Sequence, residues 1–186
     1  MLKGIIPFAH QLLKDSVEKG SVTVDATSGN GNDTLFLSEL VGEAGKVYAF
    51  DIQKQAIETT KALLEEKNCH NVHLIHDSHS KVKQYLPSNT EISGAIFNLG
   101  YLPRSDKQII TKGDTTIQAI ESLLEMLKKG ARIVIVVYHG HEGGKKEKDE
   151  VLQFASELDQ KSFGVIQYQF INQRNNPPFV VAIEKR

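Results

Sequence analysis

The stretch 23–33 reads TVDATSGNGND: an apolar run, Asp25, then Gly29 and Gly31 set among Asn30, Asn32 and Asp33. Glycine has no Cβ, so a ligand can approach such a loop along its backbone. A second carboxylate, Asp51, ends the run KVYAFD about twenty residues further on, the spacing at which an acidic side chain accepts hydrogen bonds from a ribose diol. Each feature has a structural role of its own, since the glycines suit a turn and Asp51 could cap a helix starting at Gln53. Their joint spacing predicts an adenosine-type ligand.

Two adenosine cofactors fit that outline. A dinucleotide brings a doubly anionic pyrophosphate and favours a third glycine, yet Thr34 stands where that glycine would be and Asp25 and Asp33 would repel the phosphates. S-adenosylmethionine carries a sulfonium and an ammonium, which the same carboxylates attract. Asn30 and Asn32 add amide donors and acceptors suited to its amino-acid end. The acidic glycine loop therefore predicts S-adenosylmethionine. Beyond it, IHDSH places Asp77 where a polar group can meet an adenine edge, with Ser78 as a candidate N-cap.

These residues need a scaffold that brings strand ends together. Apolar β-branched runs at 22–26, 47–50, 72–75, 92–97 and 131–138 alternate with helix-like segments at 32–41, 53–67, 115–128 and 147–160. The run ARIVIVVY is apolar almost throughout, as a strand covered on both faces should be. Such alternation predicts an α/β fold, a doubly wound, Rossmann-like, mainly parallel sheet whose ligands bind at the C-terminal strand ends. The last two runs, 164–171 and 179–184, are joined by NQRNNPP with no helix between them, which predicts a C-terminal antiparallel hairpin.

With 186 residues the chain reads as one domain, 1–186. Its 22 Lys and Arg against 23 Asp and Glu leave no global field for nucleic acid or membrane, so an anionic partner must be met by a local patch. One cysteine excludes an internal disulfide framework and a multi-cysteine zinc site. The beginning of the chain resembles neither a secretory signal nor a membrane span, so the expected setting is cytoplasmic, with no membrane contact.

DATSGNG resembles the D-x-x-x-G-x-G signature of class I S-adenosylmethionine-dependent methyltransferases. Together, VDATSGNGNDT, FDIQ, HDSH, FNLGYLP and YHGHEGG resemble the small MnmM-type enzymes over nearly the whole chain. The resemblance implies methylation of the aminomethyl group of a 2-thiouridine at the tRNA wobble position, with the tRNA anticodon arm as partner. It also implies cofactor contacts at Asn30, Asn32, Asp51, Gln53, Ser78 and His79. Asn98 and Tyr101, in NLGYLP, stand where amino-methyltransferases carry an Asp/Asn-Pro-Pro-Tyr/Phe loop, here with Leu99 and Gly100 in place of the prolines. Methylation of rRNA or a small-molecule amine, or a dinucleotide-dependent redox reaction, are the alternatives.

If the acceptor is an amine, its ammonium form must lose a proton before the lone pair can attack. His139 or His141 would assist, and Asn98 and Tyr101 would orient the nitrogen. The two histidines at one strand end are too few for a metal site, and no metal is predicted. Cys69 lies in a helix-to-strand connection, which leaves direct in-line displacement without an enzyme nucleophile. His10, His70, His73 and His76 read as structural or surface residues. Two basic clusters, Arg104 with Lys107 and Lys112, and Lys145 with Lys146 and Lys148, follow the suspected site loops and are candidate phosphate contacts. A small single domain holding a folded RNA arm makes a homodimer plausible.

Overall fold

The computed structural model describes residues 1–100 and 110–186. Seven strands form one sheet: β1 Val22–Asp25, β2 Lys46–Asp51, β3 Val72–His76, β4 Ile92–Leu99, β5 Leu127–Val137, β6 Phe163–Tyr168 and β7 Phe179–Lys185. Their order is β3-β2-β1-β4-β5-β7-β6. Strands β1 to β5 pair in parallel, whereas β7 runs antiparallel to both β5 and β6. The order reverses between β1 and β4, which is the switch point where a doubly wound sheet opens a crevice at its strand ends.

The helices are α1 Ile5–Lys14, α2 Asn32–Val41, α3 Lys54–Glu66, a short α4 Val82–Tyr85 reached through a 3₁₀ turn at His79–Lys81, α5 Gly113–Met126 and α6 Gly144–Glu157. Two apolar layers result, one on each face of the sheet. One gathers Phe50, Phe97, Ile120, Leu123, Ile133 and Ile135; the other joins Leu13, Leu37 and Val41 to Ile96, Val134 and Val180. Burial on both faces explains why β4 and β5 read as almost unbroken apolar runs.

The predicted alternation is present, with element boundaries shifted by a few residues. Helix α5 stops at Met126, because Leu127 is buried and turns into extended backbone to pair with Ile92. Helix α6 begins at Gly144, three residues ahead of the predicted start, behind a left-handed Gly143. In the hairpin the antiparallel strand β7 lies inside the sheet and β6 takes the edge. Helix α1 is an addition to the predicted elements. Its apolar residues at 5, 6, 8, 9, 12 and 13 carry a helical period, and Ala9 and Leu13 are fully buried. It is fixed by Phe8 stacked on Tyr168 at 3.9 Å, Tyr168 Oη donating to the Lys3 carbonyl at 2.7 Å, and Arg132 donating to the Leu12 carbonyl at 2.9 Å.

Candidate active site

At the C-terminal ends of β1 to β5 lies a cavity of about 930 Å³. Its wall includes Asn30, Asn32, Asp51, Gln53, Asp77, Ser78, His79, Asn98, His139 and His141, with Gly29 from the glycine loop. Asp25 and Gly31 are not on the wall; they sit beneath it and shape the loop. Tyr101, Arg104 and Lys107 lie outside the described residues.

The loop after β1 turns through left-handed Gly29, φ 54°, and Gly31, φ 84°. A Cβ on Gly31 would stand 3.0 Å from the Thr60 side chain, so the position needs glycine both for its dihedral and for its space. Asp51 braces this loop from the neighbouring strand. Its two carboxylate oxygens accept from the Gly29 N–H and the Gln53 N–H, each at 2.9 Å. The carboxylate thus holds loop and strand end together while its remaining lone pairs are available to a diol.

Asp25 is fully buried and accepts from Thr34 Oγ1 at 2.6 Å and from the Thr27 N–H at 3.1 Å. Burial, and then the charge of Asp33, pushes its carboxyl up to about 7. It is a brace for the turn, about half protonated near neutrality.

On the β3 side, Asp77 accepts from the Ser78 N–H, Lys81 and Tyr85 Oη, contacts that hold its carboxyl down at about 2. Ser78 is the N-cap of the turn that follows, accepting from the Ser80 N–H. His79 is buried, with Nδ1 2.9 Å from the Ala26 carbonyl. A carbonyl only accepts, so Nδ1 carries the proton; burial lowers the ring's pKa and leaves Nε2 as a neutral acceptor. His79 Nε2 and Ser28 Oγ are buried without a hydrogen-bond partner among the described residues, and both residues line the cavity. Buried polar atoms of this kind are ordinarily satisfied, so the wall suits a ligand with its own donors and acceptors. A crevice at the strand ends with an acidic glycine loop, a carboxylate at the second strand end and these two atoms fits S-adenosylmethionine.

Across the switch point, the ends of β4 and β5 lie side by side, Asn98 opposite Val136 and Leu99 opposite Val137, with the Tyr138 N–H donating to the Leu99 carbonyl at 3.0 Å. Gly100, φ 147°, allows the close approach, for a Cβ there would be 3.3 Å from Tyr138 Cβ. The Asn98 N–H donates to Thr27 Oγ1 at 2.7 Å, and its side-chain Nδ2 donates to Asp33 Oδ2 at 2.5 Å. Asp33 Oδ1 lies 2.6 Å from Nε2 of His10, whose ring stacks on Phe36 at 3.8 Å. His10, read from sequence as structural or surface, does not line the cavity but is joined to it through Asp33. His139 Nε2 donates to the Pro177 carbonyl at 3.2 Å, tying the β5 end to the hairpin loop. His141 has its pKa lowered, first by burial and then by the neighbouring His139.

Two further features escaped the sequence. The Gly100 N–H donates to Thr111 Oγ1, the Thr111 N–H donates back to the Gly100 carbonyl, both at 2.9 Å, and Thr111 Oγ1 donates at 2.6 Å to the buried Glu147. Glu147 also accepts from Thr116 Oγ1, and burial pushes its carboxyl up. Among the described residues, no group of three His, Cys, Asp or Glu is placed to hold a metal ion.

Residues 47–184 match the family described as "Putative rRNA methylase". The chain belongs to that family. It is a class I S-adenosylmethionine-dependent methyltransferase, of the type its motifs resemble. The methyltransferase is 41% identical, over 96% of its length and 68% of the relative's, to the chloroplastic tRNA (mnm(5)s(2)U34)-methyltransferase of Arabidopsis thaliana. Among solved structures it superposes on a "putative rRNA-methylase" from Clostridium thermocellum with a TM-score of 0.97, 44% identity and both chains fully covered. A "putative methyltransferase" from Streptococcus mutans, solved in complex with S-adenosylhomocysteine, gives a TM-score of 0.92 and 49% identity over the whole of both chains.

Proposed function

We propose that this methyltransferase transfers a methyl group to the aminomethyl nitrogen of 5-aminomethyl-2-thiouridine at the tRNA wobble position. The observation that carries the reading is one cavity with two differently equipped ends, taken with the similarity to a plant enzyme named for that wobble nucleoside. At one end, Asp51, Gln53, Ser78, His79 and the loop 28–32 would hold S-adenosylmethionine, with Asp25 supporting the loop from below. When bound, the cofactor supplies an electrophilic methyl on sulfur. At the other end, Asn98 and Tyr138 with His139 and His141 would receive the acceptor.

Asn98 is pinned by its own N–H and side chain, so it can present its side-chain oxygen to an amine N–H in a fixed direction. His141, whose lowered pKa favours the neutral ring, can take a proton from an incoming ammonium; His139 Nε2 donates to the Pro177 carbonyl and serves better as a fixed donor. Tyr101 would complete the acceptor end. Phosphate contact falls to Lys112, on the cavity rim, and to Lys145 with its neighbours at the start of α6. The anticodon arm is the proposed docking element, a homodimer the proposed assembly and the cytoplasm the proposed setting. No described helix is long and apolar enough to cross a membrane.

Incubation with labelled S-adenosylmethionine and tRNA bearing the unmethylated aminomethyl group, followed by digestion, should yield the methylaminomethyl nucleoside. In a parallel incubation with rRNA, label entering rRNA while none enters the tRNA would favour the activity in the family's description over this one.

A further inference from the structure

The acceptor-end residues Asn98, Tyr138, His139 and His141 present amide, phenol and imidazole groups, whereas the reaction creates a positive charge. A neutral amine becomes a cationic secondary ammonium as the C–N bond forms and the C–S bond breaks, with the bonding pair leaving on sulfur. A fixed anion near the nitrogen is favoured in the transition state more than in the ground state, which is the condition for raising turnover.

Asp33 meets that description. It lines the cavity, its side chain is 13% exposed, and its two oxygens are held by groups from different elements, His10 Nε2 from α1 and Asn98 Nδ2 from the end of β4. The clamp is anchored at both ends. Asn98 is anchored through Thr27, and His10 lies flat on Phe36, their planes 3° apart. The charge of Asp33 is felt at Tyr138, whose phenol is pushed up by burial and then by Asp33, and its bond to Asn98 puts the carboxylate at the end of β4, on the acceptor side of the switch point. The titratable groups facing it are His10 from α1, Asp25 from β1 and Tyr138 after β5.

We propose that Asp33 is a catalytic residue that faces the acceptor amine and offsets its developing positive charge, and that His10 is the positioning residue that fixes it. This rests on the amine-acceptor reading above. His10 Nε2, bonded to a carboxylate, carries a proton; it holds Oδ1 and leaves the Asn98 side of the carboxylate toward the cavity. The proton present on the substrate ammonium is removed elsewhere, so Asp33 is not the base.

The test uses the full chain with tRNA carrying the aminomethyl group, and compares Asp33→Asn, His10→Phe and His10→Gln. Asp33→Asn keeps the shape and loses the charge. It should lower kcat about 10²-fold at every pH from neutral to alkaline, with the affinities for S-adenosylmethionine and S-adenosylhomocysteine changed by less than about twofold. His10→Phe keeps the stack on Phe36 and loses the donor; kcat should fall about tenfold with KM for tRNA unchanged, and His10→Gln should recover part of the loss. Thermal unfolding of each variant shows that it is folded. Unchanged kcat in folded Asp33→Asn overturns the inference, as does a loss of cofactor affinity in step with kcat, which would make Asp33 a cofactor group. Unchanged kcat in His10→Phe overturns the clamp. Wild-type transfer to an oxygen or carbon would overturn the amine reading and this inference together, whereas the other outcomes strike the inference alone.

Discussion

Single residues divide the site into parts that titrate differently. Asp25, buried with its carboxyl raised from the ordinary 3.8 to about 7, contributes stability that is complete below pH 3.8 and lost as the pH rises through about 7. Asp25→Asn cannot titrate there. The melting temperature of the wild type relative to this variant should therefore fall between pH 4 and 7 and stay level above, in paired thermal scans; a constant difference would contradict the buried acid. Asp51→Ala removes two backbone bonds and the diol acceptor, and should weaken S-adenosylhomocysteine binding by about 1 to 3 kcal/mol in calorimetry. Unchanged affinity would make Asp51 a brace alone. His141→Ala should lower turnover more at neutral than at alkaline pH, where free amine is already abundant, while Asn98→Ala should lower it across the range. Equal losses at all pH for both variants would remove the proton-accepting role of His141.

At the level of elements, the loop and the strand ends decide where these residues stand. Gly31→Ala would force a Cβ into left-handed backbone and against Thr60, costing about 1 to 3 kcal/mol in denaturant unfolding and weakening cofactor binding as the loop shifts. No loss of stability would show that the turn relaxes freely. The alternation of strands and helices was legible because β4 and β5 are buried on both faces and leave long apolar runs. The hairpin order was legible in principle too. FVVAI in β7 is buried throughout, while GVIQY in β6 is largely exposed, and only the former suits an interior strand. Strand-end residues such as Asp51 and Asn98 were readable because their position follows from the strand. The links between them were not. His10 meets Asp33 across 23 positions and Thr111 meets Glu147 across 36, through the packing of α1 and α6, and no local pattern encodes such pairs.

For the molecule as a whole, near-balanced charge means that RNA must be met locally. At the start of α6, exposed Lys146 lies 3.6 Å from Glu150 and half-buried Lys148 lies 3.3 Å from exposed Asp149, ion pairs that phosphate can displace. Replacing Lys145, Lys146 and Lys148 together by Ala should raise KM for tRNA and flatten its salt dependence, with cofactor affinity unmoved. The sheet brings both ends of one cavity to the switch point, where the proposed reaction passes a methyl from sulfur to an amine nitrogen. The most direct measurement is mass spectrometry of nucleosides from tRNA bearing 5-aminomethyl-2-thiouridine after incubation with the enzyme and S-adenosylmethionine. The added methyl should sit on the aminomethyl nitrogen of the wobble uridine; a methyl on ribose or on a ring atom would contradict the account.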